Sequence, residues 1–434
     1  MKKTRRLIAS LFMTSAMIVT AVVPTMAVTT YTPVAGGKVT FTKYLVLDKN
    51  ASVPNDTFTY TIAGGDAVAG STSTFAVYEG DDEDRTSGAA TVGSAIFTSE
   101  SSTTAGAAND DITNSADKKY AQATVVVDFS GVTFNEPGVY RYVLTENQLS
   151  ATGSQNAGIS YDTGNTGANN RVRTIDVYVE DDNGTLVVGN NGANANDTAN
   201  GNLKNDATTP TTAGYVMYVG SVSTAPANDG TNITTKSDNF INEYETYDLT
   251  LSKEVTGNQG SRDKYFEFTV AITGANGVTT YAVDITDADA TTGTNGASTT
   301  EHTNPTTITT NASGSATQTF YLQHGQSIVI KGLAKDTAYT ITETSESADG
   351  YTTTAAITGD TTGTTNANGV VSDTGINADT TVAFTNDKDG IIPTGIITKV
   401  GPAVAGAVIL FTVVIVLSVK SKKDENDDEE EEEA

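Results

Sequence analysis

Residues 39–47 read VTFTKYLVL. A strand through them puts Val39, Phe41, Lys43, Leu45 and Leu47 on one face and Thr40, Thr42, Tyr44 and Val46 on the other. Lys43 therefore sits in the middle of an apolar row, where an ammonium is expensive unless it is paired or neutralised. The chain repeats the oddity. Residues 249–255, LTLSKEV, place Leu249, Leu251, Lys253 and Val255 on one face.

The same face test finds two more polar residues in each half. Residues 140–146, YRYVLTE, give the row Tyr140, Tyr142, Leu144, Glu146, and residues 339–343, YTITE, give Tyr339, Ile341, Glu343. Phe240, Asn242 and Tyr244 form one row near the end of the first half, and Val382, Phe384 and Asn386 form its counterpart in the second. Each half thus supplies lysine, glutamate and asparagine in the same order: Lys43, Glu146, Asn242, then Lys253, Glu343, Asn386. A lone Lys, Glu or Asn at a strand end usually points to solvent. A buried Lys–Glu ion pair would explain two of the three and leave the asparagine without a role.

Intramolecular amide formation uses all three. A lysine amine is nucleophilic only when deprotonated, and apolar burial lowers its pKa while raising that of a glutamate. A neutral carboxylic acid can polarise the asparagine carbonyl and pass protons to the leaving ammonia. Held in contact by folding, amine and carboxamide gain effective molarities on the order of 10⁵ M or more. The product would be a Lys–Asn isopeptide bond that carries no buried charge and cannot be reduced.

The rest of the composition fits such a chain. Among 434 residues there are 52 acids against 25 bases, a net charge of −27 that argues against nucleic-acid binding. No cysteine is present, so thiol catalysis, thiolate metal sites and disulfides are excluded. Threonine-rich alternating runs punctuated by Gly, Asn and Asp read as all-β. Runs 79–119, 181–214 and 274–315 are polar and read as surface excursions; the acidic cluster Asp81, Asp82, Glu83, Asp84 in the first lacks the spacing of a calcium loop. No cofactor is implied. His302 and His324 have no metal-ligand spacing, and no nucleophile motif lies near them.

The ends carry targeting signals. Residues 1–27 read as a signal peptide, with Lys2, Lys3, Arg5 and Arg6 before an apolar run and Thr25-Met26-Ala27 as the cleavage site. Domains are expected over 28–245 and 246–390, joined by only a few residues. Residues 391–434 hold Ile391-Ile392-Pro393-Thr394-Gly395, about 20 uncharged and mostly apolar residues at 400–419, long enough for a membrane helix, then Lys420, Lys422, Lys423 and an acidic tail.

The stretches VTFTKYL, VTFNEPGVYRYVLTEN, ISYDTG, FINEY, LTLSKEVTGNQGSRDKYFEF, AYTITET and VAFTNDKDGIIPTG together resemble the isopeptide-linked backbone (major) pilins of Gram-positive bacteria, on the two-domain streptococcal pattern. The resemblance implies two tandem immunoglobulin-like (Cna-type) β-sandwich domains. It implies bonds Lys43–Asn242, assisted by Glu146, and Lys253–Asn386, assisted by Glu343. It implies that IIPTG is a sortase signal cut between Thr394 and Gly395, with Pro393 one place later than in L-P-x-T-G, which suits a dedicated pilin sortase. Lys236, or else Lys204, is then the receiving lysine. The partners implied are a pilin-specific sortase, other copies of the chain, minor pilins and peptidoglycan. The location implied is a cell-surface pilus on the cell wall, with the precursor held briefly in the membrane. The function implied is structural, not enzymatic beyond one self-limited reaction per bond. A monomeric wall-anchored adhesin built from the same domains is the alternative.

Overall fold

The structure, a computed structural model, describes residues 30–390 except 72–73, 107–115, 149–157, 162–170, 190–213, 226–236, 276, 287–301, 361 and 367–368. The chain is all-β. Alternating rows become strands whose apolar faces meet between two pairs of sheets. In the first half one sheet runs Ile159–Ser160, Asn239–Tyr244, Lys38–Asp48, Lys118–Asp128, Thr91–Val92. The opposing sheet runs Thr185–Val188, Val172–Asp182, Gly138–Glu146, Tyr60–Gly64. Phe41, Leu45 and Val125 from the first meet Tyr142, Leu144 and Val177 from the second in one buried cluster.

The second half repeats the plan. One sheet runs Thr307–Thr309, Thr280–Thr286, Ser327–Ala334, Thr246–Thr256, Thr380–Asp387, Thr352–Thr358, and the other runs Ser315–Leu322, Phe266–Thr273, Ala338–Glu343, Val370–Asp373, Thr364–Asn366. Its own apolar cluster includes Leu251, Phe268, Ile330, Ile341 and Phe384. In both halves the first long strand and the last strand lie side by side and parallel.

All three expected excursions prove to be structured in part, the run 181–214 through strand Thr185–Val188, whose Leu186 is buried. The run 79–119 contains strands Thr86–Gly88, Thr91–Val92, Ala95–Phe97 and Thr103–Ala105. Ala95 and Phe97 are buried, and the Phe97 ring meets Phe58 edge-on at 5.7 Å, so the small apolar content of this run closes the core. Asp82 there turns back on Arg85 at 2.9 Å. The run 274–315 contributes Thr280–Thr286, whose Tyr281 and Val283 enter the second core. The signal peptide, the IIPTG motif (Ile391, Ile392, Pro393, Thr394, Gly395), the apolar stretch 400–419, Lys204 and Lys236 lie outside the described residues. Among the described residues no helix is long and apolar enough to cross a membrane.

The two halves meet directly. Only Glu245 separates Asn239–Tyr244 from Thr246–Thr256. Asn55 Nδ2 donates to the Val278 carbonyl at 2.8 Å, and Thr246 Oγ1 donates to Asp48 at 3.1 Å. Gly332 adopts φ +65°, and a Cβ there would lie 2.6 Å from the Ala51 Cα. Gly332→Ala should therefore lower stability by at least about 1–2 kcal/mol from the left-handed backbone alone. It should also speed proteolysis at the junction, which limited digestion of the full chain followed by mass mapping would reveal.

Candidate functional site

Strand pairing brings the six polar residues into two equivalent sites. Lys43 pairs with Phe240, two residues before Asn242, and Asn242 pairs with Leu45, two residues after Lys43. Lys253 pairs with Phe384, two residues before Asn386, and Asn386 pairs with Val255. The register is identical, so in each half lysine and asparagine are diagonal neighbours on the inner face of adjacent strands. Glu146 and Glu343 come from the opposing sheet, each as the last residue of a central strand, paired with Tyr60 and Phe268 respectively.

All six side chains are buried, none more than 2% exposed. The Lys43 amine lies 2.6 Å from Glu146 Oε1, and Asn242 Nδ2 donates to that same oxygen at 3.0 Å. In the second site the Lys253 amine donates to Glu343 Oε1 at 2.8 Å, and Asn386 Nδ2 donates to it at 2.5 Å. One carboxyl oxygen thus bridges the nitrogen that must lose a proton in amide formation and the nitrogen that must gain one. The carboxyl faces the amide nitrogen, not the amide oxygen that the sequence reading had it polarise.

Aromatic rings make up the walls. The Lys43 amine stands 4.9 Å from the Phe58 ring centre and 5.8 Å from that of Phe240. The Lys253 amine stands 4.2 Å from Phe266 and 5.7 Å from Phe268. A ring face tolerates an ammonium, but the dry wall removes its hydration. Burial pulls the Lys253 amine down to about 8, against the opposing pull of Glu343. Burial likewise raises the Glu343 carboxyl, against the lysine and the Asn386 amide. Both shifts favour the neutral amine and neutral acid.

Residues 38–245 match the family described as a Spy0128-like isopeptide containing domain. This segment belongs to that family. Within the isopeptide domain lie Lys43, Glu146 and Asn242. Residues 247–388, which hold the second site, match a family described as a domain of unknown function, DUF7601. A pilin of Streptococcus pyogenes serotype M1 is 26% identical over 377 residues, covering 86% of this chain and 88% of that protein. Two solved structures of major pilins from Streptococcus pyogenes are also similar. One is 22% identical, with 82% of this chain and 100% of that chain covered and a TM-score of 0.48. The other, T3.2, is 20% identical, with 82% and 99% covered and a TM-score of 0.47.

Outside the two sites, His302 stacks between Tyr265 and Tyr321 at 4.6 and 4.9 Å, and His324 Nδ1 accepts the Val255 N–H. One residue escaped the sequence reading. Arg173 shares the row of Ile175, Val177 and Val179 and is fully buried in the isopeptide domain. The face test that found the lysines would have found it.

The shifted pair gives a pH signature when the amide cannot form. In Asn386→Ala, Lys253 would bind fewer protons folded than unfolded between about pH 8 and its ordinary 10.5. Stability of the second half should therefore rise with pH across that window, by up to about 3 kcal/mol at 1.36 kcal/mol per pKa unit. Glu343, raised on folding, binds more protons folded, so stability should fall as pH climbs from 4.5 toward its raised pKa. Denaturant melts of the variant across pH 5–10, referenced to wild type, should show their minimum near neutrality.

Proposed function

We propose that the chain is a structural subunit of a cell-surface pilus, built from domains 28–245 and 246–390. In each domain folding closes a Lys–Asn isopeptide bond. The duplicated site carries this reading: two lysines, two glutamates and two asparagines in one register, with a single carboxyl oxygen on both nitrogens each time. The kinship with a streptococcal pilin over most of the chain supports it.

The chemistry follows from the contacts. The neutral amine of Lys43 attacks Cγ of Asn242, the C–Nδ2 bond breaks, and ammonia leaves as the amide forms. Glu146, as the neutral acid, gives its proton to the departing Nδ2 and takes the one the amine sheds, ending as it began. Lys253, Asn386 and Glu343 repeat the sequence. Each glutamate acts once, so the protein is not an enzyme with turnover. After export directed by residues 1–27, the segment 391–434 is read as a sorting signal. A pilin sortase cuts after Thr394 and joins its carboxyl to Lys236 of the next copy, or finally to peptidoglycan.

Tryptic mapping of the full chain should recover two branched peptides, Lys43–Asn242 and Lys253–Asn386, each lighter by one ammonia. Glu146→Ala should abolish the first and spare the second; unbranched peptides from the wild type would refute the crosslinks. In the native bacterium, boiled wall digests should show a high-molecular-weight ladder that Lys236→Ala removes. A single band in the wild type would favour a monomeric wall protein instead.

A further inference from the structure

We propose that the second half holds a calcium site, formed by Asp360, Thr362 and Asp373 with the Tyr339 hydroxyl behind them.

The two carboxylates come from different sheets. Asp360 lies two residues after Thr352–Thr358, in the sheet that carries Lys253 and Asn386, and Asp373 closes Val370–Asp373 in the opposing sheet. Both are buried. They meet across one hydroxyl. Thr362 Oγ1 lies 2.8 Å from Asp360 Oδ1, 3.0 Å from Asp373 Oδ2 and 3.1 Å from Asp373 Oδ1. A threonine has one proton to donate, so it serves only one of the two acids well. Among the described residues neither acid pairs with a lysine, arginine or histidine. Two adjacent buried carboxylates without a cation repel each other and lose their hydration.

Backbone amides fix these acids without neutralising them. Asp360 Oδ1 accepts from the Thr362 N–H at 2.9 Å and Asp360 Oδ2 from the Asn377 N–H at 2.8 Å. Asp373 Oδ1 accepts from the Gly375 N–H at 3.0 Å. Burial would raise the Asp360 carboxyl, but the bonds from Thr362 and Asn377 outweigh it and hold the group below its usual value. Asp360 is therefore ionised, and its charge needs an answer.

Tyr339 supplies an independent sign. It pairs with Asp373 across neighbouring strands, is 2% exposed, and its hydroxyl has no hydrogen-bond partner among the described residues. That hydroxyl is turned toward the acids. A Cβ on Gly363 would lie 3.2 Å from it and 3.2 Å from Asp373 Oδ2. After burial, the charges of Asp373 and Asp360 are what push the phenol pKa up. A buried phenol O–H normally finds a partner, and a water held by the ion provides one.

Ligands that are all oxygen suit a hard cation. Among the described residues no three His, Cys, Asp or Glu gather as metal ligands, so the ion has two carboxylates and completes its shell with hydroxyl and water. That charge count suits the weak extracellular class of calcium sites, with dissociation constants of about 10⁻⁴–10⁻³ M. Thr362 is exposed, which gives the ion and its waters a way in. Once bound, the ion ties the two sheets together at the end of Ala338–Glu343 opposite Glu343.

Terbium tests the site, because it replaces calcium and emits when a tyrosine close beside it absorbs light. The full chain in detergent is titrated with terbium and then back-titrated with calcium. The wild type should show a saturable emitting component that calcium displaces. Asp373→Asn should weaken it about tenfold or more, and Tyr339→Phe should dim it. The acidic tail at 424–433 is the same in every variant, so the differences belong to the site. A wild type without a calcium-displaceable component overturns the proposal. So does an Asp373→Asn chain that binds as tightly as the wild type, or a Tyr339→Phe chain that emits undimmed. If Asp373→Asn does not fold, Thr362→Val at the exposed position decides by the same titration, weakened binding supporting the site and unchanged binding refuting it.

Discussion

One shared oxygen sets the terms for the rest of the molecule. Glu146 Oε1 touches both the Lys43 amine and the Asn242 amide nitrogen, and Glu343 Oε1 does the same for Lys253 and Asn386. Such a contact requires two sheets at packing distance, two parallel strands in one register, and a pocket without water. A buried ion pair left as such contributes little stability, since desolvation consumes most of the Coulombic gain. The fold places a liability at its centre, one that the proposed amide would remove. Burial also lowers the lysine pKa, so the cost and the proposed reactivity have the same origin.

The pocket walls show how little sequence is needed to build this environment. Phe58 and Tyr60 in the first half correspond to Phe266 and Phe268 in the second, each pair spaced two apart, with Tyr60 and Phe268 paired directly to the glutamate. Phe240 and Phe384 correspond likewise on the last strand, directly opposite the lysine. Supports beyond the pocket diverge. Tyr60 also packs on Phe41 and Phe240, at 5.0 and 5.3 Å, while Phe268 packs on Phe384 at 5.2 Å. Equivalent chemistry is thus held in the two halves by different packing.

Much of the site was legible because strands have a period of two. A polar residue in an apolar row is visible without any structure, and Lys43, Glu146, Asn242 and their counterparts all declare themselves that way. Strands that bury little were harder to see. Thr352–Thr358 buries none of its residues and reads as threonine-rich surface, yet it pairs across the whole of Asn386's neighbourhood. Thr280–Thr286 alternates correctly over only three apolar positions within a long polar run. The orientation of the asparagine amide was not readable at all, because both its ends are polar and only the third dimension decides which meets the carboxyl. The Arg141–Asp176 pair, buried at 2.7 Å, belongs to the outer face of its sheet, where Val139 and Tyr178 form a smaller cluster.

The parallel pairing of first and last strands decides how such a chain would carry load. Parallel strands begin at the same end, so a pull on the start of Lys38–Asp48 and on the finish of Asn239–Tyr244 loads the pair in shear. In the absence of disulfides, hydrogen bonds and packing alone would resist that shear. A bond from Lys43 to Asn242 lies between the two points of pull and takes the force before the ladder does. Through Glu245 the load then enters Thr246–Thr256, the first strand of the second half, and meets the same arrangement at Lys253 and Asn386. Tension would cross each sandwich along its first and last strands and leave the remaining sheets unstretched. Those sheets are then free to carry the long polar insertions seen in this chain, since nothing mechanical depends on them.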